Sequence, residues 1–144
     1  MSRKIFVNLP VKDLEKSKAF FAGLGFTFNP RFTDHTAACL VISEHIYAML
    51  LTHEKFATFT PHPIADATQS TQVLIALSCE SRAEVDDLVR KAVAGGGRTF
   101  RPATDHGFMY EHAFQDPDGH VWEVFWMDPA FADAGAEQTE GAAA

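Results

Sequence analysis

The sequence predicts an α+β fold in which two tandem βαβββ modules build an open, cavity-bearing sheet. Three observations predict it. Short runs alternate apolar and polar residues with the two-residue period of a strand. Two other stretches carry apolar residues at near-helical spacing, each opened by a capping side chain and closed by glycine. The order strand, N-cap, helix, glycine stop then occurs twice, with the N-caps Asp13 and Ser81 about half the chain apart, which marks a duplicated unit.

Taken in order, residues 3–9 alternate, with Ile5, Val7 and Leu9 on one face and Phe6 and Asn8 on the other, so they read as a strand. Asp13 is a good N-cap for a helix in which Leu14, Phe20, Phe21 and Leu24 form the apolar side, and Gly23 and Gly25 end it. Strands are expected at 26–32, 37–43 and 46–52, the last two joined by a two-residue turn at Glu44 and His45. A polar, proline-bearing linker follows from His53 to Ser70.

The pattern then restarts. Residues 72–79 alternate as a strand, and Ser81 with Glu84 forms a capping box. Val85, Leu88, Val89 and Ala92 supply the helical stripe, and Gly95, Gly96 and Gly97 end it. Strands are expected at 98–102, 109–115 and 120–127. The last two are joined by Asp116-Pro117-Asp118-Gly119, which suits a type I turn with a glycine bulge. The chain divides into one domain at 1–127, with modules at about 3–52 and 71–127, and a tail at 128–144 expected to be a short helix or loosely held.

Composition excludes several classes of function. The chain has 144 residues, 47% of them apolar with 13 Phe, enough for a core and an aromatic pocket in one domain. No run approaches the roughly 18 apolar residues that span a bilayer, and the start lacks a signal-peptide pattern. The 12 basic residues against 19 acidic ones are scattered, so no nucleic-acid partner is expected. Cys39 and Cys79, the only two cysteines, both lie in apolar runs and read as buried free thiols of a cytoplasmic protein.

Glu123 is the outstanding candidate residue. It stands within Val121-Trp122-Glu123-Val124-Phe125-Trp126. A carboxylate there must be paired, at an edge, or in a functional cavity. It suits a general base, or it is a hydrogen-bonded structural glutamate. Turn chemistry decides its neighbour. With the glycine bulge, Asp116 pairs with His120, Ala113 opposes Glu123, and Glu111 shares the cavity face; with a plain two-residue turn, His112 opposes Glu123 instead. The bulged register is the better fit. Asn8 could meet a ligand or lie in a partly wet sheet. Seven histidines show no metal-ligand spacing, and Asp105-His106-Gly107 reads as a turn before the hairpin.

The chain resembles the vicinal oxygen chelate superfamily, which includes glyoxalase I, extradiol dioxygenases, fosfomycin-modifying enzymes and bleomycin-binding proteins. The resemblance rests on Val11-Lys12-Asp13-Leu14-Glu15-Lys16-Ser17, Phe20-Phe21, Leu24-Gly25-Phe26, Ile75-Ala76-Leu77-Ser78 and Asp116-Pro117-Asp118-Gly119-His120-Val121-Trp122-Glu123. The run from Asp105 to Tyr110 and on to Trp126-Met127-Asp128 is similar to a lactoylglutathione-lyase-related branch of that superfamily.

The resemblance implies a glyoxalase-like fold and a homodimer whose modules pair within or between chains. Its metal-ligand positions fall on Phe6, on Leu50 or a neighbour, on Leu74 with Gln72 two residues away, and on Glu123. Phe6, Leu50 and Leu74 have no lone pairs, so a divalent metal is disfavoured and no cofactor is expected. Phe6, Asn8, Leu50, Gln72, Leu74, Glu111 and Phe125 are the expected pocket residues, with Glu123 as the catalytic candidate. Two functions follow: metal-independent binding of an apolar or aromatic small molecule, or a lactoylglutathione-lyase-like lyase or isomerase. The second would use Glu123 as base with a weak or repositioned metal, held by Gln72, Glu111 or a linker histidine.

Overall fold

The computed structural model describes residues 2–131. The first module runs β1 (Ile5–Val11), α1 (Leu14–Gly23), β2 (Thr27–Asn29), β3 (Ala37–Val41) and β4 (Ile46–Thr52). A short helix α2 (His53–Ala57) opens the linker. The second module runs β5 (Leu74–Ser78), α3 (Arg82–Ala94), β6 (Thr104–Asp105), β7 (Met109–Gln115) and β8 (Val121–Met127). The two sheets have matching orders, β1-β4-β3-β2 and β5-β8-β7-β6, with β1 parallel to β4 and β5 parallel to β8.

The caps form as their residue types require. Asp13 Oδ1 accepts from the Lys16 N–H at 3.1 Å, and Ser81 Oγ accepts from the Glu84 N–H at 3.1 Å. Glu84 Oε2 reaches back to the Glu80 N–H at 3.1 Å, one residue before the cap.

Each helix lies on one face of its own sheet, and the two modules share one core. Phe21 meets Trp122 at 5.1 Å between ring centroids, and Phe20 meets Phe114 at 6.1 Å. Trp122, Phe21, Phe114, Leu40, Leu50 and Val85 are all at most 2% exposed. Burying each large apolar side chain contributes roughly 1.5–3 kcal/mol. The joint also carries polar ties: Asp118 accepts from the Lys12 N–H at 2.7 Å and from Ser17 Oγ at 3.2 Å, and His120 Nε2 lies 2.8 Å from the Pro10 carbonyl.

Two local expectations need correction. Residues 98–102 do not form a strand; only Arg98 bridges to Gln115, and the edge strand is Thr104–Asp105, paired with Glu111 and Tyr110. Three glycines before the segment and Pro102 within it leave little to sustain a ladder. The strand expected at 26–32 stops at Asn29, whose side chain caps a 3-10 turn at Pro30–Phe32. The β3–β4 turn is the expected one at Glu44 and His45: Ser43 and Ile46 exchange backbone hydrogen bonds at 3.1 and 3.4 Å around it, and the Ile42 N–H also reaches the Ile46 carbonyl at 3.0 Å. The linker opens with α2, which Thr52 caps by accepting from the Lys55 N–H. For the tail, a helical turn begins at Pro129; the rest of that expectation lies outside the described residues.

Candidate functional site

Pairing fixes which side chains leave the helix-covered face. Directly opposed residues share a face of a sheet. In the second sheet, Ala113 opposes Glu123, Glu111 opposes Phe125, and β5 places Leu74 and Ala76 beside Val121 and Glu123. The alternate residues Phe114, Trp122 and Val124 belong to the core. Glu123, Glu111, Phe125 and Leu74 therefore share the open face. Asp116 N–H bonds to the His120 carbonyl at 3.0 Å, the register expected of the glycine-bulged turn. His112 opposes Val124, and its Nε2 lies 2.9 Å from the Arg101 carbonyl, so it forms no dyad with Glu123.

A cavity of about 430 Å³ opens on this face, lined by Thr71, Leu74, Phe100, Arg101, Gln115, Val121 and Glu123. Leu74 is 57% exposed and Phe100 54%, so its wall is largely apolar. Its charged part is compact. Arg101 Nη2 stands 3.8 Å from Glu123 Oε2 and 3.8 Å from Glu111 Oε1, and His106 Nε2 stands 3.8 Å from the same Glu111 oxygen. Arg101 Nη1 is buried without a hydrogen-bond partner among the described residues. The turn carrying His106 is held from behind: Arg82 donates to Asp105 Oδ2 at 2.7 Å and to the Gly107 carbonyl at 3.0 Å. That hydrogen bond, followed by one from the Gly107 N–H, holds the Asp105 carboxyl below its ordinary range.

The remaining expected pocket residues separate. Asn8 and Gln72 meet in a different space, a groove of about 230 Å³ between β1, β5 and the linker, also lined by Phe56, Ile64 and His120. Asn8 Nδ2 donates to the Phe6 carbonyl at 3.3 Å. Phe6 is 44% exposed and stacks on Tyr47 at 4.7 Å on the open face of the first sheet. Leu50 must be corrected: it is 0% exposed and packs in the core, because it opposes Ala38 on the helix-covered face. Its neighbour Met49, opposite Asn8 and Cys39, faces the other way.

Sequence reasoning missed Arg101. The signal was present, since a half-buried carboxylate needs a cation nearby, and Arg98 and Arg101 are the basic residues between α3 and the hairpin. Nothing in the sequence showed which one reaches Glu123.

The residues at the open-face positions do not suit a divalent ion. Phe6 and Leu74 offer no lone pair, Met49 offers one thioether, and Glu123 already faces a guanidinium. A hard ion needs several oxygen donors, and zinc-like ions need several nitrogen or thiolate donors; this donor set does not fit. Among the described residues, no three His, Cys, Asp or Glu side chains are grouped to hold a metal. No described helix is long and apolar enough to cross a membrane.

Comparison with known proteins gives a consistent setting. Residues 3–43 match the bleomycin resistance protein-like N-terminal family. A hypothetical protein, SA1046, from S. aureus is similar at 30% identity over 88% of this chain and 95% of its own, with a TM-score of 0.74. A glyoxalase/bleomycin resistance protein/dioxygenase family enzyme from Burkholderia phytofirmans shares the fold at 18% identity, covering 88% of this chain and 99% of its own, with a TM-score of 0.72. A glyoxalase-related enzyme from Fulvimarina pelagi does so at 22% identity, covering 88% of each chain, with a TM-score of 0.73. No curated protein matches.

Proposed function

We propose that the chain, which has the fold of glyoxalase, bleomycin resistance and dioxygenase proteins and matches a bleomycin resistance protein-like model over residues 3–43, is a member of the vicinal oxygen chelate superfamily that binds an apolar or aromatic small molecule without a metal. The observation that carries this reading is the exchange of donors for hydrocarbon: Phe6 and Leu74 stand on the open faces where the superfamily resemblance puts metal ligands. An apolar wall with a few convergent polar groups is what a small-molecule site requires. The reading includes a cytoplasmic homodimer. Phe6 and Leu74 are 44% and 57% exposed on the open faces of the two sheets, and a second copy of the chain would cover them.

The alternative is a lactoylglutathione-lyase-like lyase or isomerase with Glu123 as general base. One observation favours it: the Glu123 side chain is 30% exposed and lines the cavity, within reach of a ligand. The two readings part in one experiment. The purified protein is assayed for metal by elemental analysis, its mass in solution is measured by light scattering, and it is screened by thermal shift against uncharged aromatic compounds. Binding by a metal-free dimer supports the proposal. A tightly held stoichiometric metal, lost in Glu123→Ala together with a measured turnover, would overturn it in favour of the enzyme.

A further inference from the structure

We propose that Arg101 anchors the ligand of the Glu123 cavity and selects aromatic compounds bearing an uncharged acceptor oxygen, such as a ketone. This rests on reading that cavity as a small-molecule site. The argument starts from hydrogen-bond capacity. A guanidinium carries five N–H donors in a rigid fork. In contact with a carboxylate they close to about 2.7–2.9 Å. Arg101 Nη2 instead stops 3.8 Å from both Glu111 and Glu123, and Nη1 is buried with no partner among the described residues. A desolvated donor without an acceptor is costly. Nη1 is closed off from the cavity, so the donors offered to a ligand are those on the rest of the guanidinium: the side chain is 29% exposed where it lines the cavity, and Nη2 is held between two carboxylates without closing on either.

Charge then decides which acceptor. One guanidinium against two carboxylates leaves the cluster with a net negative charge, and His106 approaches only Glu111, at 3.8 Å. An anionic head group would gain Arg101 but meet both carboxylates at similar range, in a partly desolvated site where such repulsion is strong. An uncharged carbonyl oxygen gains the same donors without that repulsion. Beside it, Leu74, Phe100 and Val121 supply apolar surface for a ring.

The test is equilibrium dialysis of the full chain at pH 8.5. The probes are three compounds of nearly one shape: 2-acetylnaphthalene, 2-isopropenylnaphthalene and 2-naphthoate. The ketone is expected to bind about tenfold more tightly than the hydrocarbon, one hydrogen bond to a charged donor, and more tightly than the carboxylate. In Arg101→Met the ketone should fall to the level of the hydrocarbon, whose own binding is kept. In Glu123→Gln the cluster becomes neutral, and 2-naphthoate should gain about fivefold or more. This second variant tests the charge argument even if Arg101→Met does not fold. A ketone preference that survives in Arg101→Met, or a carboxylate that binds best in the unmodified protein, overturns the proposal while leaving an apolar cavity intact. Failure of all three probes, the hydrocarbon included, overturns the small-molecule reading itself.

Discussion

Asp116 Oδ2 accepts a 3.0 Å hydrogen bond from the indole Nε1 of Trp122, joining the β7–β8 turn to the shared core. Asp116 is 4% exposed and Trp122 1%. The other carboxylate oxygen accepts from the N–H groups of Asp118 and His120, both at 3.0 Å. In Asp116→Asn one oxygen can keep the backbone pair, but an NH₂ then faces the indole donor. The expected cost is about 1–3 kcal/mol by urea unfolding. A loss below about 0.5 kcal/mol would mean that the turn stands without the carboxylate.

The same residue sets a pH dependence. Burial pushes the Asp116 carboxyl above its ordinary 3.8, against the lowering effect of His120 and its hydrogen bonds. A folded-state value above the unfolded one means that folding takes up a proton in the window just above 3.8. The contribution of Asp116 to stability therefore rises as pH falls from neutral toward that value. Asp116→Asn lacks this gain, so its deficit should widen between pH 7 and pH 4. A deficit that shrinks over this interval would contradict the sign.

Gly119 has φ +91°, and a Cβ built there would meet the Ala67 carbonyl oxygen at 2.8 Å. The linker thus crosses the hairpin turn backbone to backbone. Gly107 has φ +85° but open space around it, so it separates strain from contact. Gly107→Ala should cost about 1 kcal/mol for the left-handed backbone alone. Gly119→Ala should cost about 1–3 kcal/mol more. Equal costs for the two variants would show that the linker gives way.

Much of this architecture was legible, for physical reasons that particular residues make plain. Asp13, Ser81 and the glycine stops report helix ends through local hydrogen bonds, and Asp116-Pro117-Asp118-Gly119 reports its own register, which put Ala113 across from Glu123. Local chemistry does not reveal contacts across the chain. Leu50 and Met49 differ by one residue, and a one-residue slip moves a side chain to the other face; only the pairing with Ala38 and Cys39 separates them. Gln72 lies beyond the start of β5, so alternation no longer governs it and it turns to the inter-module groove with Asn8. Arg101 reaches Glu123 from an irregular segment, which no periodicity describes.

Both thiols should be inert in the folded protein. Cys39 is 0% exposed, and burial raises its thiol. Cys79 is half-buried, and its thiol is pushed up to about 12, chiefly by burial and then by the nearby Glu84 carboxylate. The thiolate is the reactive form. Iodoacetamide at pH 8 should therefore label neither cysteine in native protein, with Cys79 about a thousandfold slower than a free thiol, and label both in urea. Rapid native labelling of Cys79 would mean that β5 opens at its end.

The proposed metal-free site can be tested by building metal ligands into it. Phe6→His and Leu74→His add two imidazoles on the open faces, and Arg101→Met frees the Glu123 carboxylate from its 3.8 Å cation. Two imidazoles with one carboxylate form a facial set suited to nickel, zinc or iron(II). The triple variant should bind nickel with one site per cavity and at least about tenfold more tightly than the unmodified chain in calorimetric titration. It should also melt higher when loaded, since a ligand that binds only the folded state stabilises it. If the cavity forms between two copies, nickel should hold the variant dimeric at dilutions where the apo form separates. Gain of metal with loss of the aromatic ligands would show the two occupants competing for one site. No gain in the variant would mean that the Phe6 and Leu74 positions do not converge, and that the apolar residues there line separate surfaces. Tight nickel uptake by the unmodified chain would overturn the metal-free reading directly.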